Sequence, residues 1–258
     1  MKCAYKNQYD FTDNGKRIFY RGLHNEVEYA IMNVLKRMKR SETWDDVDRY
    51  LRLMLALHDV GKLNEPWQSW AQARHRLYSE TITTNDKVPT DGTPIAHTAG
   101  VFVTEKEEKD FEAKFKRAHP KPRGNHSVES AEAVSDIVWQ VTEGDWLWYS
   151  VIIAAICHHH TPSAHEAGQF KMVSNAKDAI AETLSLYEFS DEEAQVWANL
   201  VKEKFSRHGR KLRGALSKVS PAYAGYDFAL LYFIFVRVLR LADQRSSDYI
   251  HEGEYGTS

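Results

Sequence analysis

At 258 residues, 43% of them hydrophobic and 27% charged, the chain can build one sizeable core or at most two small ones. A net charge of −2 argues against a dedicated DNA-coating protein but leaves room for an enzyme with a local basic groove. The two cysteines, Cys3 and Cys157, form no Cys-x-x-Cys, so neither a disulfide framework nor a zinc knuckle is expected, and a reducing cytoplasm is the expected compartment.

The polar start, Met1 to Asn7, lacks the apolar segment of a signal peptide. From His24 to Met38, the residues His24, Val27, Ile31, Val34, Leu35 and Met38 share one face at helical spacing. A second amphipathic pattern, Val47 to His58, sets Leu51, Met54, Leu55 and His58 on one stripe, with Gly61 as the expected stop. Both stripes carry a histidine toward the interior.

Residues 79–124 differ, with turn pairs such as Val-Pro, Asp-Gly and Thr-Pro, a charged stretch, then His-Pro and Lys-Pro. Loops and a short hairpin are expected there, as one irregular insertion. Helical spacing resumes after Asn125. Trp146 to Cys157 is apolar nearly all round and runs into His158-His159-His160. One or two amphipathic helices are expected within 168–213. The apolar run Phe228 to Ala242, interrupted by Arg237 and Arg240, is too short and charged to span a bilayer and delivers Asp243 instead. The tail, 249–258, has no core pattern and is expected to be flexible. The expected fold is an all-α helical bundle occupying the chain as one domain.

Twelve histidines is a high count, and several sit at the buried ends of helices. Burying a lone imidazole or carboxylate is expensive, so such groups should meet each other or share a cation. Imidazole nitrogen with carboxylate oxygen suits manganese, iron, nickel, cobalt or zinc better than magnesium. An aspartate next to a ligating histidine can bridge two ions, and two ions about 3.5–4 Å apart clamp an in-line phosphoryl displacement.

His24, then His58-Asp59, then Asp243 resembles the H…HD…D signature of the HD metal-dependent phosphohydrolases. "HDVGKLNEPWQ" is similar to the HD-x-GK and aromatic-Gln stretch of the HD nuclease domain of CRISPR type I systems. "NHSVESA" resembles that family's third-histidine helix, "AAICHHHTP" its paired-histidine motif and "RLADQRSSD" its closing segment. These motifs run in order from Leu23 to Asp248. An isolated His-Asp pair would be an ordinary polar helix end; five ordered motifs are a specific signal.

The resemblance implies an HD bundle with a two-metal site that cleaves single-stranded DNA, working beside a fused or separate helicase and a target-bound type I effector complex. It implies that His24, His58, Asp59 and Asp243 hold one ion. Asp59 would bridge to a second ion on His126 and two of His158, His159 and His160, while Lys62 would neutralise phosphate charge beside it. The paired motif favours His159 and His160, with His158 left open, and His97 is the alternative to His126. Ser246 and Ser247 either turn the chain or face the site.

Two basic segments are candidate substrate tracks: Lys114, Lys116, Arg117, Lys121 and Arg123, and Arg207, Arg210, Lys211, Arg213 and Lys218. Trp67 and Trp70 read as packing anchors before base-stacking platforms. No G-x-x-x-x-G-K-S/T occurs, so no ATPase motor is expected here. A mononuclear HD phosphohydrolase acting on nucleotides and a non-catalytic HD docking module are the alternatives. The first predicts indifference to loss of His126 or the triplet, the second a degenerate ligand set.

Overall fold

The computed structural model describes residues 24–81, 94–95, 104–119, 126–160, 169–205 and 221–255; for 24, 221–225 and 244–255 it describes the backbone only. In chain order these residues form α1 (His24–Arg37), α2 (Trp44–Leu57), a 3-10 turn (Val60–Leu63), α3 (Glu65–Thr81), α4 (Glu105–Ala118) and α5 (His126–Ala133). There follow α6 (Ser135–Val141), α7 (Trp146–His158), β1 (Phe170–Lys171), α8 (Ala176–Leu186), α9 (Asp191–Leu200), β2 (Lys204–Phe205) and α10 (Pro221–Tyr255). The architecture is all-α. Its one sheet among the described residues is the antiparallel pair β1–β2, in which Phe170 stacks on Phe205.

The apolar helix α7 lies at the centre, packed by α2, α5, α6 and α10, and buries every side chain from Ser150 to Cys157. Each buried aliphatic side chain contributes about 1.5–3 kcal/mol, whereas an exposed ion pair contributes about 0–1. The run Val151 to Ile156 therefore outweighs the surface pairs in holding α7 in place. Its first turn is capped by the Asp145 carboxylate, which accepts from the Leu147 and Trp148 amides at 2.8 and 3.3 Å. Arg40 pairs with both Asp145 and Glu42, and the Trp148 indole donates to Glu42. The start of α7 is thus tied to the segment just before α2, which opens with a Thr43/Asp46 capping box.

Three elements depart from the sequence expectation. The charged stretch in 79–124, expected as part of an irregular insertion, is the 14-residue helix α4. Thr104 and Glu107 form a capping box at its start, and Phe111 and Phe115, one turn apart, pack on Tyr78 and Trp70 of α3. With Phe111 and Phe115 its only large apolar residues, the helix has little stripe for a periodicity argument to find. The pattern expected as one helix after Asn125 breaks at Val134 into α5 and α6. The helix expected to end near Ala242 continues to Tyr255. Asp243 to Tyr255 holds no proline that would stop the helix.

Candidate metal centre

Two helices end at the same place and in the same way. Helix α2 stops at Leu57, leaving His58 as its C-cap with helical backbone; α7 stops at His158, with His159 the equivalent C-cap. In each, the ring Nδ1–H donates to the carbonyl three residues back, His58 to Leu55 at 2.8 Å and His159 to Ile156 at 2.6 Å. That bond fixes the tautomer and leaves each Nε2 as a lone-pair donor. The two rings meet edge to face, 5.2 Å apart.

Asp59 stands between them, and its two oxygens face different groups. Oδ2 is 2.6 Å from Lys62 Nζ and 3.4 Å from His58 Nε2. Oδ1 is 3.5 Å from His126 Nε2 and 3.8 Å from His159 Nε2. Asp243, from α10, faces His58 Nε2 at 3.8 Å with one oxygen and His160 Nδ1 at 3.9 Å with the other. Two sets of donor atoms result, each within 4.8 Å of one another: His58, Asp59 and Asp243, and Asp59, His126, His159 and His160. Asp59 belongs to both.

His158 is not gathered in. Its ring turns the other way and bonds the Tyr232 hydroxyl at 3.0 Å. His24 is the first residue of α1, and its side chain lies outside the description, as do those of Ser246 and Ser247 on α10; His97 lies outside the described residues. Lys121, Arg123, Arg210, Lys211 and Arg213 lie outside them too, with Arg207 and Lys218. Lys114, Lys116 and Arg117 are exposed on the last turns of α4.

Electrostatics set the two sets apart. Burial disfavours a charged Asp59, yet Lys62, His58 and the rings of His159 and His126 hold its carboxyl well below the usual range. Burial pushes the His126 imidazole well below its ordinary value and the His160 ring down to about 4. Burial opposes charge on His58 as well, but Asp59 and Asp243 outweigh it and raise that ring. His126 and His160 are therefore neutral at pH 7 and ready to donate lone pairs.

Gly61 is not the helix stop expected of it. Helix α2 ends four residues earlier, and Gly61 sits inside the 3-10 turn. It is there because the turn lies against α5: a Cβ on Gly61 would stand 2.0 Å from the His126 carbonyl oxygen and 2.8 Å from the Ser130 amide nitrogen. The Gly61 N–H donates to Ser130 Oγ at 2.7 Å, and that hydroxyl donates to the His126 carbonyl at 2.7 Å. Ser130 escaped the sequence reading, although a serine one turn after His126 in "NHSVESA" was its signal.

Behind the site, buried Gln68 donates to the carbonyls of Lys62 and Ile95 at 2.7 and 2.5 Å and accepts from the Ile95 amide at 2.7 Å. The Trp67-Gln68 pair is therefore structural, tying the Lys62 turn to the 94–95 segment, with Trp67 buried against Ala71 and Ile95.

The donor chemistry fits a divalent transition ion. Asp59 Oδ1, His126 Nε2 and His159 Nε2 are buried without a hydrogen-bond partner. Each such orphan costs about 1–3 kcal/mol, a penalty that a shared cation removes. Neutral imidazoles mixed with carboxylates match manganese, iron, nickel, cobalt or zinc. Among the described residues no helix is long and apolar enough to cross a membrane.

A family model described as "Cas3, HD domain" matches residues 16–226. No curated protein and no solved structure matches the chain. Asp243 lies beyond the matched residues, yet α10 returns it to the same cluster as His58 and Asp59.

Proposed function

Because the chain belongs to the Cas3 HD-domain family, the HD nucleases of CRISPR defence, we propose that it cleaves single-stranded DNA with two divalent ions. One set of ligands is His58, Asp59 and Asp243, joined by His24; the other is Asp59, His126, His159 and His160. The observation that carries this reading is the divided Asp59 carboxylate, with one oxygen toward each set. Bound ions would supply Lewis acidity at the phosphodiester and acidify the attacking water.

The chain's own groups do the rest. Asp59 stays ionised between the two sets. The Lys62 amine, 2.6 Å from Asp59, is positioned to offset phosphate charge beside it. His160, with 42% of its side chain exposed, lies on the open side, where a strand can approach. Lys121, Arg123, Arg210, Lys211 and Arg213 supply the backbone contacts. A helicase, fused or separate, delivers the strand at a target-bound effector complex. The ions are manganese, iron, nickel or cobalt sooner than magnesium.

Purified chain incubated with manganese and circular or linear single-stranded DNA tests this, against a chelator and Asp59→Ala. Cleavage should need the metal and fall at least about a thousandfold in the variant. Intact DNA in every lane, with small nucleotides hydrolysed instead, would sink the nuclease reading. Metal analysis near two ions per chain supports the shared carboxylate; near one favours the mononuclear alternative.

A further inference from the structure

Of the two arginines in the apolar stretch of α10, Arg237 is exposed and Arg240 is not. Arg240 reaches across to the end of α7: Nη2 donates to the His158 carbonyl at 2.7 Å and Nε to the His159 carbonyl at 2.9 Å. The last carbonyls of a helix have no partner within it, and they form the negative end of its dipole. A cation there is favourable. A guanidinium adds direction, because two donors on one rigid edge grip two successive carbonyls and fix rotation as well as position.

Arg240 also stands three residues before Asp243 on the same helix. One turn of α10 thus carries the carboxylate that faces His58 and His160 and the guanidinium that holds the backbone of His158 and His159. Besides Arg240, the end of α7 meets α10 through packing, the His158–Tyr232 bond and the approach of His160 to Asp243. Packing alone is non-directional.

We infer that Arg240 is a positioning residue of the metal centre, setting His159 and His160 in register with Asp243 by holding the carbonyls of His158 and His159. The inference rests on the metal-centre reading above. Arg240 belongs to neither set of candidate ligands; it acts through the backbone that carries two of them.

The test uses the full chain, Arg240→Gln, Arg240→Lys and, as a control for weakening α10 elsewhere, Arg37→Ala, which removes the exposed Arg37–Asp227 pair between α1 and α10. Manganese affinity is measured by calorimetric titration, and cobalt substitution reports ligand geometry through its visible absorption. Arg240→Gln should bind manganese at least tenfold more weakly with an altered cobalt spectrum. Arg240→Lys, which keeps the charge and one carbonyl bond, should recover part of the loss, and Arg37→Ala should bind like the unaltered chain. If Arg240→Gln does not fold, Arg240→Lys decides alone. A folded Arg240 variant with unchanged affinity and spectrum overturns the inference while leaving the metal centre intact. An unaltered chain that binds no manganese overturns both.

Discussion

The ends of α2 and α7 deliver the centre with one shared device and two different anchors. Both place a histidine at the C-cap and both use its Nδ1–H to satisfy the carbonyl three residues back. Beyond that they diverge. The α2 end is wedged backbone to backbone against α5, with Gly61 leaving no room for a side chain and Ser130 bridging the contact. The α7 end is held by the side chain of Arg240. A backbone contact tolerates almost no adjustment, whereas a side-chain clamp can be weakened by degrees. Asp59, the residue common to both donor sets, stands on the rigid side.

The sharpest way to break this contrast is Gly61→Ala. The added methyl would meet the His126 carbonyl 2.0 Å away. Backbone must move, so destabilisation on the order of 3 kcal/mol is expected in denaturant unfolding, along with lost metal affinity. A variant as stable as the parent would show that the turn is not wedged. Ser130→Ala asks less: it leaves the buried Gly61 N–H without its acceptor and should cost about 1–3 kcal/mol. An unchanged unfolding midpoint would count against the bridge.

The smallest effect is on pH dependence, where the histidines of the two donor sets titrate oppositely. His126 and His160 are lowered in the fold, His160 to about 4, so as pH falls from about 6.5 toward 4 the unfolded chain takes up protons first and stability drops. His58 is raised, so its contribution is complete below about pH 6.5 and is lost as pH climbs through its folded value. The metal-free chain should therefore melt highest near pH 6.5, which thermal scans under chelator would check. A melting temperature that climbs steadily on acidification would contradict the assignment of neutral rings.

Much of the centre was legible because its residues sit where helical stripes end. His58-Asp59 closes one apolar stripe, the triplet closes another, and Asp243 follows Phe235 and Leu239 at helical spacing. The fold gathers His58, Asp59, His126, His159, His160 and Asp243 from four stretches of chain. Helix α4 was hidden for the converse reason: its two phenylalanines form too narrow a stripe to stand out from the surrounding charge. Gly61 misled because a glycine just past a helix usually marks its end, and nothing local reveals that another helix presses on it.

By itself the sequence determined the helical class, the order of the chemical motifs and the helix ends that carry them, since periodicity reports which face of a helix a residue occupies. Only the tertiary structure decided among neighbours. Three consecutive histidines leave a helix end in three directions, so His158 meets Tyr232, His159 meets Asp59 and His160 meets Asp243. Which direction is the site depends on where α5 and α10 lie, and that placement is set by packing between segments distant in the chain.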